Sequence, residues 1–301
     1  MDTAVKSETN QARPPWIAWA LLALGILAAS VSAILIRYAE DANPLAISFW
    51  RCALGAIALL PFARWQQRGA TRATVKISAI AGFFLALHFA TWITSVGLTS
   101  VASSVLLVST TPVFTALIAW LAFKERLESI GWVGIALTLL GVGLIGGGDF
   151  GGSSGVGNLL ALIGGATVGG YLILGAVARR TLGIVEYAVV AYTTAGVILL
   201  PVCLVAGVDL WGYDSGTWWA LAGLVVGPQL LGHTVINSVL TEIDATTVAV
   251  TIMAEPIIAT ALAFVLFSEE PSLLIYPGGI LILAGIYLVT TVRKEPVVPL
   301  D

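Results

Sequence analysis

The sequence predicts an all-α polytopic membrane protein in which ten transmembrane helices form two inverted five-helix repeats around a central cavity. Hydrophobic residues make up 58% of the 301 residues and charged residues only 10%, and the mean hydropathy is +0.98. This composition is too apolar for the surface of a soluble protein. Ten apolar runs are each close to the ~20 residues that cross a bilayer core, and part of the second half repeats the first.

The predicted crossings leave connections of only a few residues, so no soluble catalytic domain fits between them. In lipid, a segment of this length must be a helix, because a helix satisfies its own backbone N–H and C=O groups. The crossings are predicted at residues 16–36, 44–63, 77–98, 101–123, 129–147, 155–178, 185–206, 217–239, 246–267 and 273–292.

Basic residues set the predicted orientation. With the N-terminus inside, all but two of the 14 Lys and Arg residues fall in inner segments, and such an excess marks the cytoplasmic side. The exceptions are Arg37 in an outer loop and Arg51 inside the second crossing. Outer segments instead carry acids such as Asp209, Asp214 and Glu269. We therefore expect both termini in the cytoplasm.

The first crossing also fits an alternative interpretation. A basic tail, an apolar stretch and Val31-Ser32-Ala33 resemble a signal peptide with its cleavage site. Cleavage would leave nine helices and remove one member of the repeat described next. We therefore favour a retained first helix.

An internal repeat appears when the chain is shifted by 144 residues, which lays the fourth and fifth helices on the ninth and tenth without a gap. Because five helices per unit is an odd number, the two units must enter the membrane from opposite sides. Inverted repeats are typical of carriers that work by alternating access. The matched pairs include Pro112 with Pro256, Glu125 with Glu269, Gly134 with Gly278 and Gly141 with Gly285.

The repeat divides the chain into five parts. We expect a cytoplasmic tail at residues 1–15, the first five-helix repeat at 16–147, an external linker at 148–154, the second repeat at 155–292 and a cytoplasmic tail at 293–301. The turn that follows the fourth helix is basic, whereas its counterpart after the ninth helix is acidic. This difference fits opposite sides of the membrane.

Residues around the central prolines carry a family resemblance. The apolar stretches from Pro112 to Glu125 and from Pro256 to Glu269, the Gly-rich helix after each, and Arg51 early in the second helix resemble the EamA-type transporters of the drug/metabolite transporter superfamily. Within that family, the length and the many tryptophans are similar to bacterial amino-acid exporters, including the aromatic amino-acid exporters. The resemblance implies efflux of small metabolites across the bacterial inner (plasma) membrane, without a bound cofactor.

The two central prolines are candidates for the gate or cavity. Pro112 and Pro256 each remove a backbone hydrogen bond and should free the carbonyls of Val108 and Ile252 near the bilayer middle. Such carbonyls either face a polar cavity or are satisfied by neighbouring Ser or Thr hydroxyls in a packing kink. The matched depth of the two prolines favours the first role.

Two charged residues within the predicted crossings are candidates for substrate binding. Glu255 lies deep in the ninth crossing, where a charge is costly, so it either holds a substrate ammonium or a proton, or pairs with Arg51 or a histidine. Arg51 either ties helices together through Glu40, Asp41 or backbone carbonyls, or binds a substrate carboxylate with its planar fork.

Two polar stripes predict a cavity wall. His88 and Trp92 share a face of the third helix, and Gln229, His233 and Asn237 share a face of the eighth. These helices occupy equivalent positions in the two repeats. The alternative is that each polar side chain simply makes an interhelical hydrogen bond. Trp92 suits stacking against an apolar or aromatic substrate group.

Tyr171 on the sixth helix is a further cavity candidate, and Tyr192 on the seventh is a weaker one. Cys52 and Cys203 both fall within apolar runs, where a disulfide or a metal cluster does not fit. We therefore interpret them as packing residues and predict no metal site.

The sequence excludes several activities. Every lysine lies near a terminus or a helix end, so no buried Schiff base is available, and the absence of a Walker pattern excludes an ATP-driven pump on this chain. Nothing indicates nucleic-acid binding. The predicted partners are a small-molecule substrate and the lipid bilayer, no cofactor is predicted, and the sequence does not set the oligomeric state.

The prediction for function is a carrier that exports small metabolites. Amino acids, aromatic and other neutral ones, with broad specificity left open, are preferred because of the family resemblance. Efflux of drugs or other metabolites is the alternative within the same class. An intramembrane enzyme and a non-transporting receptor or scaffold are the alternatives from other classes.

Overall fold

The computed structural model describes residues 14–65, 70–99, 104, 107–146, 155–267 and 273–291. Within these ranges the backbone is helix, turn or irregular chain, with no strand. The all-α prediction is therefore confirmed for this part of the protein. The predicted linker at 148–154, the C-terminal tail and nearly all of the N-terminal tail lie outside the described residues.

Six helices are long and apolar enough to cross a bilayer, with 19 to 27 residues each. Four shorter apolar segments lie where the fourth, fifth, ninth and tenth crossings are predicted. The polytopic membrane class is thus confirmed, while ten full crossings remain a prediction. In chain order the helices are α1 (Pro15–Ser30 and Ser32–Tyr38), α2 (Pro44–Leu59), α3 (Arg72–Leu98), α4 (Thr111–Phe123), α5 (Ser129–Gly146), α6 (Gly155–Arg179), α7 (Ile184–Val205), α8 (Ser215–Leu224, Val225–Thr234 and Val235–Ser238), α9 (Ala245–Ile252 and Glu255–Phe267) and α10 (Ile275–Thr291).

Polar side chains explain where several helices begin. Asn43 accepts a hydrogen bond from Leu45 N (3.0 Å) next to Pro44 in the first turn of α2. Asp244 accepts one from Thr247 N (2.9 Å) at the start of α9. These oxygens satisfy N–H groups that have no partner within the helix. The predicted starts at residues 44 and 246 therefore agree with the structure to within one residue.

The structure corrects the prediction of two continuous crossings at the central prolines. α4 begins at Thr111, directly before Pro112 and after a turn at residues 109–110, and the second segment of α9 begins at Glu255, directly before Pro256 and after a turn at residues 253–254. Proline fits the first turn of a helix but not its interior. Each proline therefore starts a new helical segment instead of kinking one helix, and the two breaks match under the 144-residue shift.

The core lies where α2, α3, α6 and α7 pack together, with α1 and α8 against them. Its largest fully buried side chains are polar or aromatic and include Arg51, Phe89, Tyr171, Tyr187 and Tyr192. By contrast, many large apolar side chains are exposed on the outside of the bundle, as expected for a surface that faces lipid. The bundle therefore buries several large polar and aromatic side chains in an otherwise apolar core.

α5 and α10 approach each other through glycines. A Cβ built on Gly134 would lie 2.8 Å from Gly285 O, and one built on Gly141 would lie 2.5 Å from Gly278 O. Residue numbers rise along one helix as they fall along the other, so the two helices are antiparallel. Glycine is required at these positions because a side chain would push the two backbones apart.

Candidate functional site

Arg51 lies in the interior of the bundle on the second turn of α2. Its side chain is 1% exposed. Its Nε donates a hydrogen bond to Gln229 Oε1 (3.2 Å), and its Nη1 donates one to Ser32 Oγ (3.2 Å). The guanidinium carbon lies 4.2 Å from the centre of the Phe89 ring, a cation–π distance. Arg51 therefore joins α1, α2, α3 and α8 at one point.

The two side chains that accept hydrogen bonds from Arg51 are neutral. It does tie helices together, as one of the two predicted roles requires, but through Ser32 and Gln229 instead of Glu40 or Asp41. Within the described residues, no carboxylate is among its hydrogen-bond partners. A cation held inside a membrane bundle without an acidic partner is costly, and such positions are typically functional.

His88 and Trp92 form a stacked pair on α3. Their rings are parallel to within 6°, and the ring centroids are 5.7 Å apart. His88 Nδ1 lies 2.9 Å from Gly164 O. Since a carbonyl can only accept, Nδ1 carries the proton and Nε2 of the neutral ring is an acceptor. Trp92 Nε1 is buried and lacks a hydrogen-bond partner among the described residues.

The structure brings the predicted stripe on α8 against the stripe on α3. Gln229 and Asn237 are buried, and His233 is partly buried. The His233 ring centroid lies 5.2 Å from that of Phe89 and 6.4 Å from that of His88. These side chains form one polar and aromatic cluster in the bundle interior.

The segment of α8 that carries this stripe is a π-helix, Val225–Thr234. Gln229 O accepts hydrogen bonds from the hydroxyls of Tyr192 (3.2 Å) and Thr234 (3.2 Å). Longer π-helices are rare, and π-turns often occur at functional sites. Pro228 lies inside this segment and was not among the predicted site residues. It could have been predicted, because it is a proline within an apolar run, as Pro112 and Pro256 are.

Tyr171 of α6 is fully buried and is hydrogen-bonded to α8. Its hydroxyl accepts from Asn237 Nδ2 (2.9 Å), which also donates to His233 O (2.7 Å). Asn237 Oδ1 and Tyr187 OH are buried without a hydrogen-bond partner in the described part of the chain. Both atoms face Gly175. Tyr187 was not predicted, because nothing in the sequence distinguishes it from other aromatic residues of apolar helices.

Pro112 is buried, but it does not open a free carbonyl to a cavity. Thr111 Oγ1 donates to Val108 O (2.7 Å), the carbonyl that Pro112 was expected to free, and lies 3.1 Å from Gly165 O. The structure therefore has the second of the two predicted arrangements, in which a neighbouring threonine hydroxyl satisfies the carbonyl.

Glu255 and Pro256 begin the second segment of α9. Pro256 is buried, and Glu255 is partly exposed. Within the described residues, Glu255 is not among the hydrogen-bond partners of Arg51.

Asp41 joins the loop before α2 to the start of α8. Its Oδ2 accepts from Asp214 N (3.0 Å), and its Oδ1 accepts from the Thr217 hydroxyl. The Thr217 hydroxyl and the Asp214 amide lower the pKa of Asp41 below its ordinary value of 3.8, because both stabilise the carboxylate. This loop contact fastens the end of the bundle at which α2 and α8 begin.

Trp50, which precedes Arg51, makes a second contact at this end of the bundle. Its Nε1 donates to Leu210 O (2.9 Å). Its ring is edge-on to Trp211, with centroids 4.6 Å apart, and to Trp218, with centroids 5.4 Å apart. The aromatic cluster therefore connects the loop before α8 to the turn of α2 that holds Arg51.

Most side chains of the polar cluster are buried in this conformation. Two grooves of about 300 Å³ and 330 Å³ lie elsewhere, one beside Tyr38 and Trp219 and the other beside Ile57 and Leu200. Neither groove is lined by the polar cluster. The predicted central cavity therefore remains a prediction for a more open conformation.

Comparisons with known proteins agree on a transporter family. The sequence profile of the EamA-like transporter family matches residues 15–147 and again residues 155–291. An uncharacterized transporter of Archaeoglobus fulgidus is 26% identical over 285 residues, which cover 91% of this chain and 98% of that protein. The uncharacterized transporter YdfC of Bacillus subtilis is 25% identical over 253 residues, which cover 82% of each chain.

A third sequence relative and one solved structure are also similar to this chain. The uncharacterized transporter YwfM of Bacillus subtilis is 24% identical over 275 residues, covering 85% of this chain and 87% of that protein. One solved crystal structure has a TM-score of 0.76 at 19% sequence identity, and the match covers 91% of this chain and 96% of that chain. At that identity the likeness concerns the fold alone.

Proposed function

The chain belongs to the EamA-like transporter family and is a multi-pass membrane transporter, and we propose that it exports small metabolites, with amino acids as its preferred substrates. Aromatic and other neutral amino acids are the expected class, because the length and tryptophan content resemble the amino-acid exporters of the family. Drug or other metabolite efflux is the alternative within the same fold. The proposed location is a bacterial inner membrane.

The observation that carries this proposal is the polar cluster inside an apolar bundle. Arg51, His88, Gln229 and Asn237 are buried, and they come from helices of both halves of the chain. Buried ionisable side chains are expensive in a membrane and commonly mark substrate or ion pathways. The cluster therefore supports a substrate pathway between the halves.

An amino acid would need a site for each of its charges and space for its side chain. We assign the ammonium to Glu255, the carboxylate to Arg51 or to helix dipoles, and an aromatic side chain to the stacked pair of His88 and Trp92. The indole of Trp92 offers both a face for stacking and a buried N–H without a partner among the described residues.

The packing of α5 on α10 supports inverted halves. Under the 144-residue shift, Gly134 corresponds to Gly278 and Gly141 to Gly285. The contacts pair Gly134 with Gly285 and Gly141 with Gly278, so each contact has a counterpart with the two halves exchanged. Such reciprocal contacts are the property of a two-fold arrangement, and inverted halves allow alternating access.

Counterflow in proteoliposomes tests the proposed function. Vesicles loaded with unlabelled phenylalanine should accumulate labelled phenylalanine from outside when they contain the protein. Trp92→Phe should raise the KM for aromatic amino acids, whereas Trp219→Phe, at an exposed position, should leave it unchanged. A screen over other amino acids, nucleosides and cationic drugs then defines the breadth. Chemical conversion without translocation, or passive conductance alone, would contradict a carrier.

A further inference from the structure

Among the described residues, the N–H donors of Arg51 and Gln229 outnumber the acceptors that they are bonded to. A guanidinium has five N–H donors, and the recorded hydrogen bonds of Arg51 engage one on Nε and one on Nη1. Gln229 Nε2 is also buried and has no hydrogen-bond partner among the described residues. A buried donor that lacks an acceptor is destabilising, so an acceptor from outside the chain would be stabilising here.

The orientation of the Gln229 amide is fixed by its neighbour. Gln229 Oε1 accepts from Arg51 Nε (3.2 Å). Turning the amide over would place Nε2 against Arg51 Nε, donor against donor. Gln229 Nε2 therefore lies on the other side of the amide from this contact, and its two N–H groups have no hydrogen-bond partner among the described residues.

Phe89 restricts how an acceptor can reach Arg51. The ring lies 4.2 Å from the guanidinium carbon and covers one face of the planar group. The N–H bonds point outward in the plane of the group, so an acceptor binds at the edge of the guanidinium. A planar, negatively charged group with two oxygens matches this edge in a bidentate arrangement.

We propose that Arg51 and Gln229 Nε2 form an anion subsite that binds the carboxylate of the transported molecule. This assignment rests on the proposed function and deepens it, because it places the carboxylate on Arg51 and not on helix dipoles and adds Gln229 as a second donor. The carboxylate supplies acceptors for both groups, and its charge neutralises a cation that has only neutral recorded partners. Because the subsite lies at the meeting point of α1, α2, α3 and α8, its occupation couples substrate binding to the packing of these helices.

Chloride is a second source of the same chemistry. A free halide would also neutralise Arg51, but a single spherical ion lacks the two oxygens of a carboxylate and does not distinguish an amino acid from its amine. The comparison of phenylalanine with phenethylamine, at high chloride and at low chloride balanced with sucrose, separates the two sources.

The experiment measures counterflow of labelled phenylalanine in proteoliposomes with Gln229→Glu. The new carboxylate has nearly the same shape, occupies the subsite with its own charge and removes the Nε2 donors. Counterflow should fall by at least about tenfold, while the Tm of the purified variant stays at or above the wild-type value. Asn158→Asp, an amide-to-acid change away from the cluster, should transport normally. In the wild type, phenethylamine should compete at least about 100-fold more weakly than phenylalanine.

The outcomes are distinct. If the wild type shows no counterflow of phenylalanine, the proposed function fails. If the wild type transports and Gln229→Glu transports equally well, only the anion subsite is wrong. If chloride raises the Tm of the purified wild type and phenylalanine does not compete with it, the subsite holds an inorganic anion and the assignment to substrate is overturned. Arg51→Lys provides a second test, since a point charge without the planar fork should also weaken phenylalanine binding.

Discussion

Gly141 of α5 and Gly278 of α10 touch backbone to backbone. A Cβ built on Gly141 would lie 2.5 Å from Gly278 O and 2.7 Å from Ile282 Cγ1. No real Cβ approaches a backbone oxygen this closely, so one helix would have to move. The contact between the two halves therefore depends on the absence of a side chain at this position.

We predict that Gly141→Ala destabilises the protein by about 1–3 kcal/mol, the usual cost of overpacking. The measurement is the Tm of purified protein in detergent. Gly279→Ala is the matched control, since its Cβ would meet Ile257 Cδ1 at an ordinary 3.7 Å. An unchanged Tm for Gly141→Ala would show that α5 and α10 do not pack through this glycine.

The buried tyrosines should respond differently to loss of their hydroxyls. Tyr171→Phe removes the acceptor for Asn237 Nδ2 and should cost about 1 kcal/mol, because that donor keeps His233 O as a second acceptor. Tyr187→Phe removes a buried hydroxyl that has no hydrogen-bond partner among the described residues. It should leave the Tm unchanged or raise it. An equal fall in Tm for the two substitutions would contradict the hydrogen bond between Asn237 and Tyr171.

The loop contact of Asp41 should depend on pH. Because its pKa is lowered below 3.8 by the Thr217 hydroxyl and the Asp214 amide, its stabilising contribution is fully present above that value. The contribution is lost as the pH falls through the lowered pKa. Asp41→Asn should therefore lower the Tm at neutral pH. The difference in Tm between the variant and the wild type should become smaller in strong acid. Glu40→Gln, at an exposed neighbouring carboxylate, serves as the control.

Glu255 is the residue that we expect to link transport to pH. It begins a helical segment within the predicted ninth crossing, where carrying a charge is costly. Glu255→Gln removes that charge and should flatten the pH dependence of counterflow. Glu242→Gln, outside the predicted crossings, should preserve the wild-type profile. Transport by Glu255→Gln that equals the wild type at every pH would exclude a coupling role.

The helices and the two polar stripes could be predicted from the sequence because both depend on regular spacing. Apolar runs of bilayer length mark helices whatever their packing. A four-residue spacing puts His88 and Trp92 on one face, and their rings are stacked in the structure. That the stripes of α3 and α8 meet follows from their equivalent places in the two halves. These features can be predicted without knowing the angles at which the helices cross.

The partners of individual side chains could not be predicted, because they depend on helix positions. Whether Arg51 meets Ser32 or an acid is decided by the rotation of α1 against α2, which composition does not encode. The hydrogen bond from the Tyr192 hydroxyl to Gln229 O in the π-helix comes from another helix, so it too depends on how the helices are placed. The helix break before Pro112 follows from the chemistry of proline. The hydrogen bond from the Thr111 hydroxyl to Val108 O could be identified only from the structure.

The central claim is that the two halves of the chain cross the membrane in opposite directions with a substrate pathway between them. Single cysteines at Ser129 and Leu273, which correspond under the 144-residue shift and are both exposed, test it most directly in a protein whose Cys52 and Cys203 are replaced by Ala. A membrane-impermeant thiol reagent added to intact cells should label position 273 and leave position 129 unlabelled until the membrane is opened. Labelling of both positions from the same side would contradict inverted halves and the pathway they enclose.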